Sequence, residues 1–282
     1  MENNQTTVTD FILMGFLVSP KMHMVLFGFF FLLYILTLLG NGVILGLICL
    51  DSRLHTPMYF FLSQLAIVDI SYASNTVPQM LANLMDPAKS IPFAGCIMQT
   101  YLFMIFAHIE CLLLVMMSYD RYVAICHPLS YTLMMNWKVC IAFAITSWAC
   151  GSLLALVHVL LLLRLPFCGP REINHFCEIL SVLKLACADI WLNKLIIFVD
   201  CVFIVVGPLC LVLVSYSHIL HTILRIQSVK GGKKAFSTCS SHFCVVGLIF
   251  GIAIIMYMIT NSRNFEKHQK FFSYFTASLI LP

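Results

Sequence analysis

The sequence predicts an all-α membrane protein whose chain crosses the bilayer six times and starts a seventh crossing. Of its 282 residues, 61% are hydrophobic and 10% are charged, whereas a soluble domain has roughly 45–50% apolar and about 25% charged residues. The mean hydropathy is +0.97, and the apolar residues form runs long enough to cross about 30 Å of hydrocarbon. These observations exclude a secreted enzyme, a nucleic-acid-binding protein and a disordered chain.

Each predicted helix corresponds to one apolar run, because a transmembrane helix needs about 20 mostly apolar residues. Six runs satisfy this requirement: 24–50, 58–81, 93–118, 139–163, 195–220 and 235–260. A seventh run, 271–282, is about 12 residues long and would form roughly 18 Å of helix, which is short of the bilayer. No long linker or repeat interrupts the chain, so residues 1–282 are expected to form one membrane domain.

The orientation of the chain is predicted from two features outside the runs. Asn4-Gln5-Thr6 is a glycosylation sequon, which is used only on the lumenal side. The loop 164–194 contains three cysteines in a polar setting, which favours an oxidising compartment. The density of Lys and Arg in the short loops agrees, although their number does not. We therefore expect an extracellular N-terminus, residues 1–23, and a long second extracellular loop, residues 164–194.

Among the ionisable side chains inside the runs are Asp69, Glu110, His108, His158 and Asp200. Each costs roughly 2.5–3.5 kcal/mol on insertion scales, so each is a functional candidate. Asp69 and Glu110 lie near the middle of the second and third runs, where two carboxylates would repel unless a proton or a cation lies between them. A hydrogen-bonded cluster between helices, a sodium or proton site, and a transporter relay all satisfy this requirement.

Four strings at the ends of the runs point to a known family. MSYDRYVAIC, residues 117–126, lies at the end of the third run, and PMYFFL, residues 57–62, opens the second. KAFSTCSSH, residues 234–242, opens the sixth, and Ser215-Tyr216 lies near the end of the fifth. Together, in this order and at these boundaries, they are very specific. Over about residues 1–270 the chain resembles the olfactory receptors of the tetrapod-type class, a branch of the rhodopsin-like G-protein-coupled receptors.

The resemblance implies a rhodopsin-like seven-transmembrane helix bundle, here with an incomplete seventh helix. It implies a receptor, not an enzyme, in the plasma membrane, which binds a small hydrophobic volatile ligand and activates a stimulatory olfactory G protein. By resemblance, Arg121 engages the G protein, Asp120 and Tyr122 flank it, and Tyr216 supports the active state. No cofactor is implied apart from a sodium ion at the two acids of the second and third runs, and no nucleic acid.

The resemblance also assigns two disulfides and a ligand pocket. Cys96 is expected to bond Cys177, and Cys168 is expected to bond Cys187. The pocket lies between the third, fifth and sixth helices and is mostly apolar, which suits a ligand of low water solubility. Its expected lining residues are Phe103, Met104, Ala107, His108, Asp200, Ile204, Phe250, Ala253, Ile254 and Tyr257.

The sequence departs from the family pattern at two places that bear on signalling. Phe250 stands where the family usually has a tyrosine, and residues 271–282 lack the Asn-Pro-x-x-Tyr end of the seventh helix. The second departure makes a non-signalling product of a degraded receptor gene an alternative interpretation. A cation or proton transporter that uses Asp69 and Glu110 is another, although the inverted repeats that it predicts are not visible.

Overall fold

The computed structural model describes residues 10–13, 20–85, 90–168, 172–173, 176–225, 243–244 and 246–251. Nearly all of these residues are helical. The helices are α1 (Pro20–Leu50), α2 (Pro57–Met85), α3 (Phe93–Cys126), α4 (Tyr131–Met134), α5 (Trp137–Leu163), α6 (Ile179–Leu183), α7 (Trp191–Cys201) and α8 (Gly207–Arg225). Short 3₁₀ turns at Ser52–Leu54 and Pro128–Ser130 connect neighbouring helices.

The long helices coincide with the first five apolar runs of the sequence. In this part of the chain, four helical segments are long and apolar enough to cross a membrane: Lys21–Leu50, Phe93–Cys126, Trp137–Leu163 and Trp191–Ile223. The helix α2, with 29 residues, covers the second run. The predicted all-α membrane fold is therefore confirmed. Most of the sixth run and all of residues 271–282 lie outside the described residues, as does the predicted incomplete seventh helix.

The third run was predicted to end at residue 118, but α3 continues to Cys126. Apolarity marks only the part of a helix that lies in hydrocarbon, whereas backbone hydrogen bonding continues into water. The extension carries Asp120, Arg121 and Tyr122 on the same rigid helix as the expected pocket residues.

The helix α3 lies at the centre of the bundle. It packs against α2, α5 and α8, while α1 packs mainly against α2 within the described part of the chain. The side chains of α1 are largely exposed along its length, as expected for a helix that faces lipid. A site on α3 is therefore adjacent to several neighbouring helices.

The fifth segment contains a π-helical turn, Val202–Val206, between α7 and α8. The N–H of Gly207 donates to the carbonyl of Val202, five residues earlier. Pro208 has no N–H, so the carbonyl four residues before it cannot be paired within an α-helix, and the wider turn accommodates this loss.

A small sheet covers the end of the bundle at which α3 begins. The strand β1 (Asp10–Leu13) pairs antiparallel with β2 (Ser90–Pro92) and parallel with β3 (Glu172–Ile173). Phe11 and Leu13 are fully buried in the sheet. The sequence did not predict β1, because an alternation of four residues within a polar segment is too short to indicate a strand.

Candidate functional site

Three ionisable side chains from three helices meet inside the bundle. The Nε2 atom of His108 on α3 lies 2.8 Å from the Oδ2 atom of Asp200 on α7, and the Nε2 atom of His158 on α5 lies 3.8 Å from the same oxygen. The side chains are 6%, 13% and 2% exposed for His108, Asp200 and His158. We call these three residues the His–Asp–His cluster.

Local sequence explains how α5 brings His158 so close to α3. A Cβ atom at Gly151 would lie 2.9 Å from Cγ1 of Ile109 and 3.3 Å from Cβ of His108, so only glycine permits this approach. His158 lies two turns further along the same face of α5. Its Nδ1 atom is 2.8 Å from the carbonyl oxygen of Leu154, which fixes the orientation of the ring.

The described pocket residues fall into three groups. His108 and Asp200 are in direct contact, and Ile204 and Phe250 belong to one buried apolar cluster near the fifth segment. Met104 is buried in a different cluster among α2, α3 and α5, and Ala107 is half-buried.

Phe103 is half-buried, and its ring centroid is 4.9 Å from that of Tyr72 and 5.6 Å from that of Phe176. The Phe103 ring therefore lies beside α2 and the second extracellular loop. The remaining predicted lining residues, Ala253, Ile254 and Tyr257, lie outside the described part of the chain.

The sequence singled out His158 as an ionisable group inside a run but did not place it in the pocket. Its position in an otherwise apolar run was the available signal. That signal says nothing of the helix face, because the apolar residues of a transmembrane helix face lipid and protein alike. No group of three or more His, Cys, Asp or Glu within the described ranges is arranged to hold a metal ion.

At the cytoplasmic end of α3, Asp120 is buried and accepts a hydrogen bond of 2.8 Å from the Tyr131 hydroxyl on α4. Burial raises the pKa of Tyr131 above its ordinary value, and the hydrogen bond to Asp120 raises it further. The tyrosine therefore remains a neutral donor at physiological pH. This link between α3 and α4 was not predicted.

The other three residues expected at the G-protein face lie on α3 and α8. The Nε atom of Arg121 is buried and has no hydrogen-bond partner among the described residues. The Tyr122 hydroxyl lies 3.2 Å from Nε2 of His127. The buried ring of Tyr216 on α8 is 5.3 Å from that of Phe243, measured between ring centroids. Tyr216 thus joins the fifth segment to residue 243, the first described residue of the sixth run.

Asp69 on α2 and Glu110 on α3 are both half-buried and lie near enough to interact electrostatically. Two carboxylates in this arrangement fit the charge of a small cation, and carboxylate oxygens are the ligand type that hard cations prefer.

Both predicted disulfides are present. The Cα atoms of Cys96 and Cys177 are 5.3 Å apart, and those of Cys168 and Cys187 are 5.8 Å apart. The first bond joins the outer end of α3 to the long loop, and the second closes the loop on itself. The other site predicted outside the helices, the sequon at Asn4, lies outside the described residues.

A polar network that the sequence did not predict reinforces the Cys96–Cys177 bond. Gln99 accepts a hydrogen bond of 2.9 Å from the N–H of Cys177 through Oε1, and it donates one of 2.9 Å to the carbonyl of Asn75 through Nε2. The side chain of Asn75 donates in return to the carbonyl of Gln99 at 3.0 Å. One side chain therefore ties α2, α3 and the loop together.

The family model described as "Olfactory receptor" matches residues 30–277, which is most of the chain. This chain belongs to the olfactory receptor family. It is 69% identical over 284 aligned residues to human olfactory receptor 2A1/2A42, covering 99% of this chain and 92% of that protein. It is 70% identical to human olfactory receptor 2A5, covering 98% and 89%, and 60% identical to mouse olfactory receptor 2A7, covering 100% and 91%.

Membership of this family establishes the general activity of the protein. It is a seven-helix membrane protein that binds small odorants and couples to a G protein, and it is not an enzyme. Neither the family model nor these relatives favour the interpretation as a transporter or as the product of a degraded receptor gene.

Proposed function

We propose that this olfactory receptor binds a small hydrophobic volatile ligand beside the His108–Asp200 pair and passes the signal to a stimulatory olfactory G protein. The observation that carries the proposal is the contact between these two residues from different helices, 2.8 Å apart. A polar pair in an apolar surrounding orients a ligand, while the apolar residues supply most of its binding energy. The other members of the proposed pocket are Phe103, Met104, Ala107, Ile204, Phe250, Ala253, Ile254 and Tyr257.

Ligand binding reaches the cytoplasmic face through α3, which carries both His108 and Arg121. A guanidinium whose Nε atom lacks a described partner is available to bind a group on the G protein once the helices separate. Asp120, Tyr122 and Tyr216 complete this coupling site in the proposal.

The receptor is proposed to lie in the plasma membrane with its N-terminus outside the cell. The strand β1 pairs with β2, which precedes Cys96, and with β3, which precedes Cys177. Cys96 and Cys177 are bonded to each other at the end of α3 opposite Arg121. Disulfides form in oxidising compartments, which supports the assignment of this end to the extracellular side. Glycosylation at Asn4 is consistent with that assignment.

A sodium ion is proposed between Asp69 and Glu110. The support is their electrostatic proximity in the middle of the bundle. A monovalent cation there would reduce the repulsion between the carboxylates and so stabilise the arrangement of α2 and α3.

The proposal is tested by expressing the receptor with an outer tag and measuring surface delivery and odorant-evoked cAMP across a broad panel. Arg121→Ala is expected to abolish the cAMP response at an unchanged surface level. Arg53→Ala is the matched control, because this exposed arginine is paired locally with Asp51. An unchanged response of Arg121→Ala would remove the residue from the mechanism.

The ligand half of the proposal is tested in the same assay with His108→Ala. We expect the ranking of active odorants to change while the surface level stays the same. His55→Ala serves as the control because this exposed histidine lies in the connection between α1 and α2 and belongs to neither the His–Asp–His cluster nor the coupling site. The same ranking across the panel in His108→Ala would place the pocket elsewhere.

A further inference from the structure

We propose that the His–Asp–His cluster recognises the head group of the ligand and selects a hydrogen-bond donor, an alcohol or an amine, over a ketone with the same carbon skeleton. This inference rests on the proposed function, since it assigns a ligand class to the same pocket. It adds His158 to the site.

The position of the proton on His158 follows from its partner. The Nδ1 atom is 2.8 Å from the carbonyl oxygen of Leu154, and a carbonyl oxygen can only accept. The proton of the neutral ring is therefore on Nδ1, and Nε2 is left as an acceptor. That acceptor faces Oδ2 of Asp200 at 3.8 Å, so two acceptors point toward each other.

The contact between His108 and Asp200 determines which nitrogen of the His108 ring carries the proton. With an ionised Asp200, the Nε2–H of His108 donates to Oδ2 across 2.8 Å, and the Nδ1 atom of the neutral ring becomes an acceptor. The Nε2–H of His108 is thus used inside the cluster, and the Nδ1–H of His158 is used by the carbonyl of Leu154. No further donor is then left on the three side chains.

Three polar atoms of the cluster are left over. Within the described residues, Nδ1 of His108, Nε2 of His158 and Oδ1 of Asp200 are all buried and all without a hydrogen-bond partner. With both rings neutral and Asp200 ionised, every one of them is an acceptor. Native proteins leave few buried polar atoms unsatisfied, and three in one cluster indicate a missing donor.

The chemistry of that donor follows from the acceptors. A hydroxyl or an amine supplies the missing hydrogen, and an ammonium also opposes the charge of Asp200. A ketone or an ether offers only an acceptor, which leaves the three atoms unsatisfied and adds a repulsive contact. Sites built to hydrogen-bond a ligand group discriminate strongly against analogues that lack it.

The experiment measures binding without a G protein. The full chain is placed in phosphatidylcholine nanodiscs, and Kd is taken from the rise of the thermal unfolding midpoint with ligand concentration. Two matched series are used: methylphenylcarbinol, α-methylbenzylamine and acetophenone, and cyclohexanol, cyclohexylamine and cyclohexanone. In at least one series the alcohol or the amine is expected to bind at least about tenfold more tightly than the ketone.

Two variants assign that preference to the cluster. Asp200→Asn preserves the shape of the side chain, and His158→Phe preserves a planar ring; each is expected to lower the preference to about threefold or less. Asp189→Asn is the control, because this aspartate is exposed and accepts a hydrogen bond from the nearby N–H of Trp191. It should retain the wild-type preference.

The inference is overturned if the ketones bind as tightly as the donors, if no donor of either series binds, or if both cluster variants keep the wild-type preference. These outcomes are separable from a failure of the proposed function. A receptor that prefers donors in nanodiscs but gives no cAMP contradicts only the signalling step. A receptor that signals to ketones and alcohols alike contradicts only the donor selectivity.

Discussion

Asp120 shows how much a single side chain depends on a contact that local sequence does not reveal. The sequence identified it from the string around Arg121, yet its hydrogen-bond partner is Tyr131, on the separate helix α4. The same holds for His108, whose partner Asp200 is 92 residues away in the chain. Residue identity was predictable from motif and polarity, and the partner was not.

Removal of the Tyr131 hydroxyl tests the link between α3 and α4. Tyr131→Phe deletes the donor to Asp120 and leaves a buried acceptor, which should destabilise the receptor by about 1 kcal/mol. We expect the thermal unfolding midpoint in nanodiscs to fall by about 2–4 °C. Tyr59→Phe on α2, where the ring is exposed, is the matched control and should not change the midpoint.

The pH dependence of that effect follows from the raised pKa of Tyr131. A raised tyrosine pKa favours the neutral form in the folded state, so the stabilisation is complete below the ordinary pKa of 10.0 and is lost as pH rises through the folded value. The difference between wild type and Tyr131→Phe should thus be constant from about pH 6 to about pH 9. A difference that disappears within that window would contradict the assigned hydrogen bond.

At the scale of elements, the length and order of the helices followed from apolar runs. The side of each helix that contacts protein did not follow from them. Lipid and protein are both apolar, so hydrophobic periodicity does not distinguish the two sides of a transmembrane helix. The π-helical turn at Val202–Val206 illustrates the same limit. Pro208 lacks an N–H and so weakens the helix, whereas which face of α7 meets α3 depends on how the whole segment packs.

The close approach of α5 to α3 at Gly151 can be tested by adding one methyl group. Gly151→Ala places a carbon 2.9 Å from Ile109 and 3.3 Å from the carbonyl of Ile105, so the two helices must separate. Overpacking of this kind costs about 1–3 kcal/mol. We expect a lower unfolding midpoint and, because His108 and His158 move apart, a lower odorant potency in the cAMP assay.

Gly46→Ala on α1 is the matched control for that experiment. A Cβ atom at Gly46 meets nothing within 4 Å, so the substitution only improves helix propensity. Its midpoint should be equal to or above that of the wild type. If Gly151→Ala behaves like Gly46→Ala, then glycine is not needed for the approach of α5 to α3.

At the scale of the whole molecule, the two disulfides differ in what they hold. Cys96–Cys177 closes a loop with a sequence separation of 81, and Cys168–Cys187 closes one of 19. By the loop-entropy relation the first contributes about 4.5 kcal/mol and the second about 3 kcal/mol. The first also anchors the loop to α3 beside Gln99, so its loss affects the bundle itself.

Surface delivery of cysteine variants measures this difference. Cys96→Ser with Cys177→Ser is expected to abolish delivery, and Cys168→Ser with Cys187→Ser to reduce it partially, because less of the fold depends on the shorter loop. Cys150→Ser replaces an exposed free cysteine of α5 and should leave delivery unchanged. Equal losses for the two double variants would contradict the ranking.

The amino-acid sequence alone determined the membrane class, the first five membrane-spanning segments and the receptor family, and the resemblance to that family assigned the two disulfide pairs. The class and the segments follow from apolar length and the family from motifs at helix ends, which are local properties of the chain. Only the tertiary structure decided that His158 joins His108 and Asp200, that Asp120 binds Tyr131, and that β1 pairs with two distant segments. Such contacts depend on which faces of the helices meet, and a uniformly apolar helix does not encode its face in its periodicity.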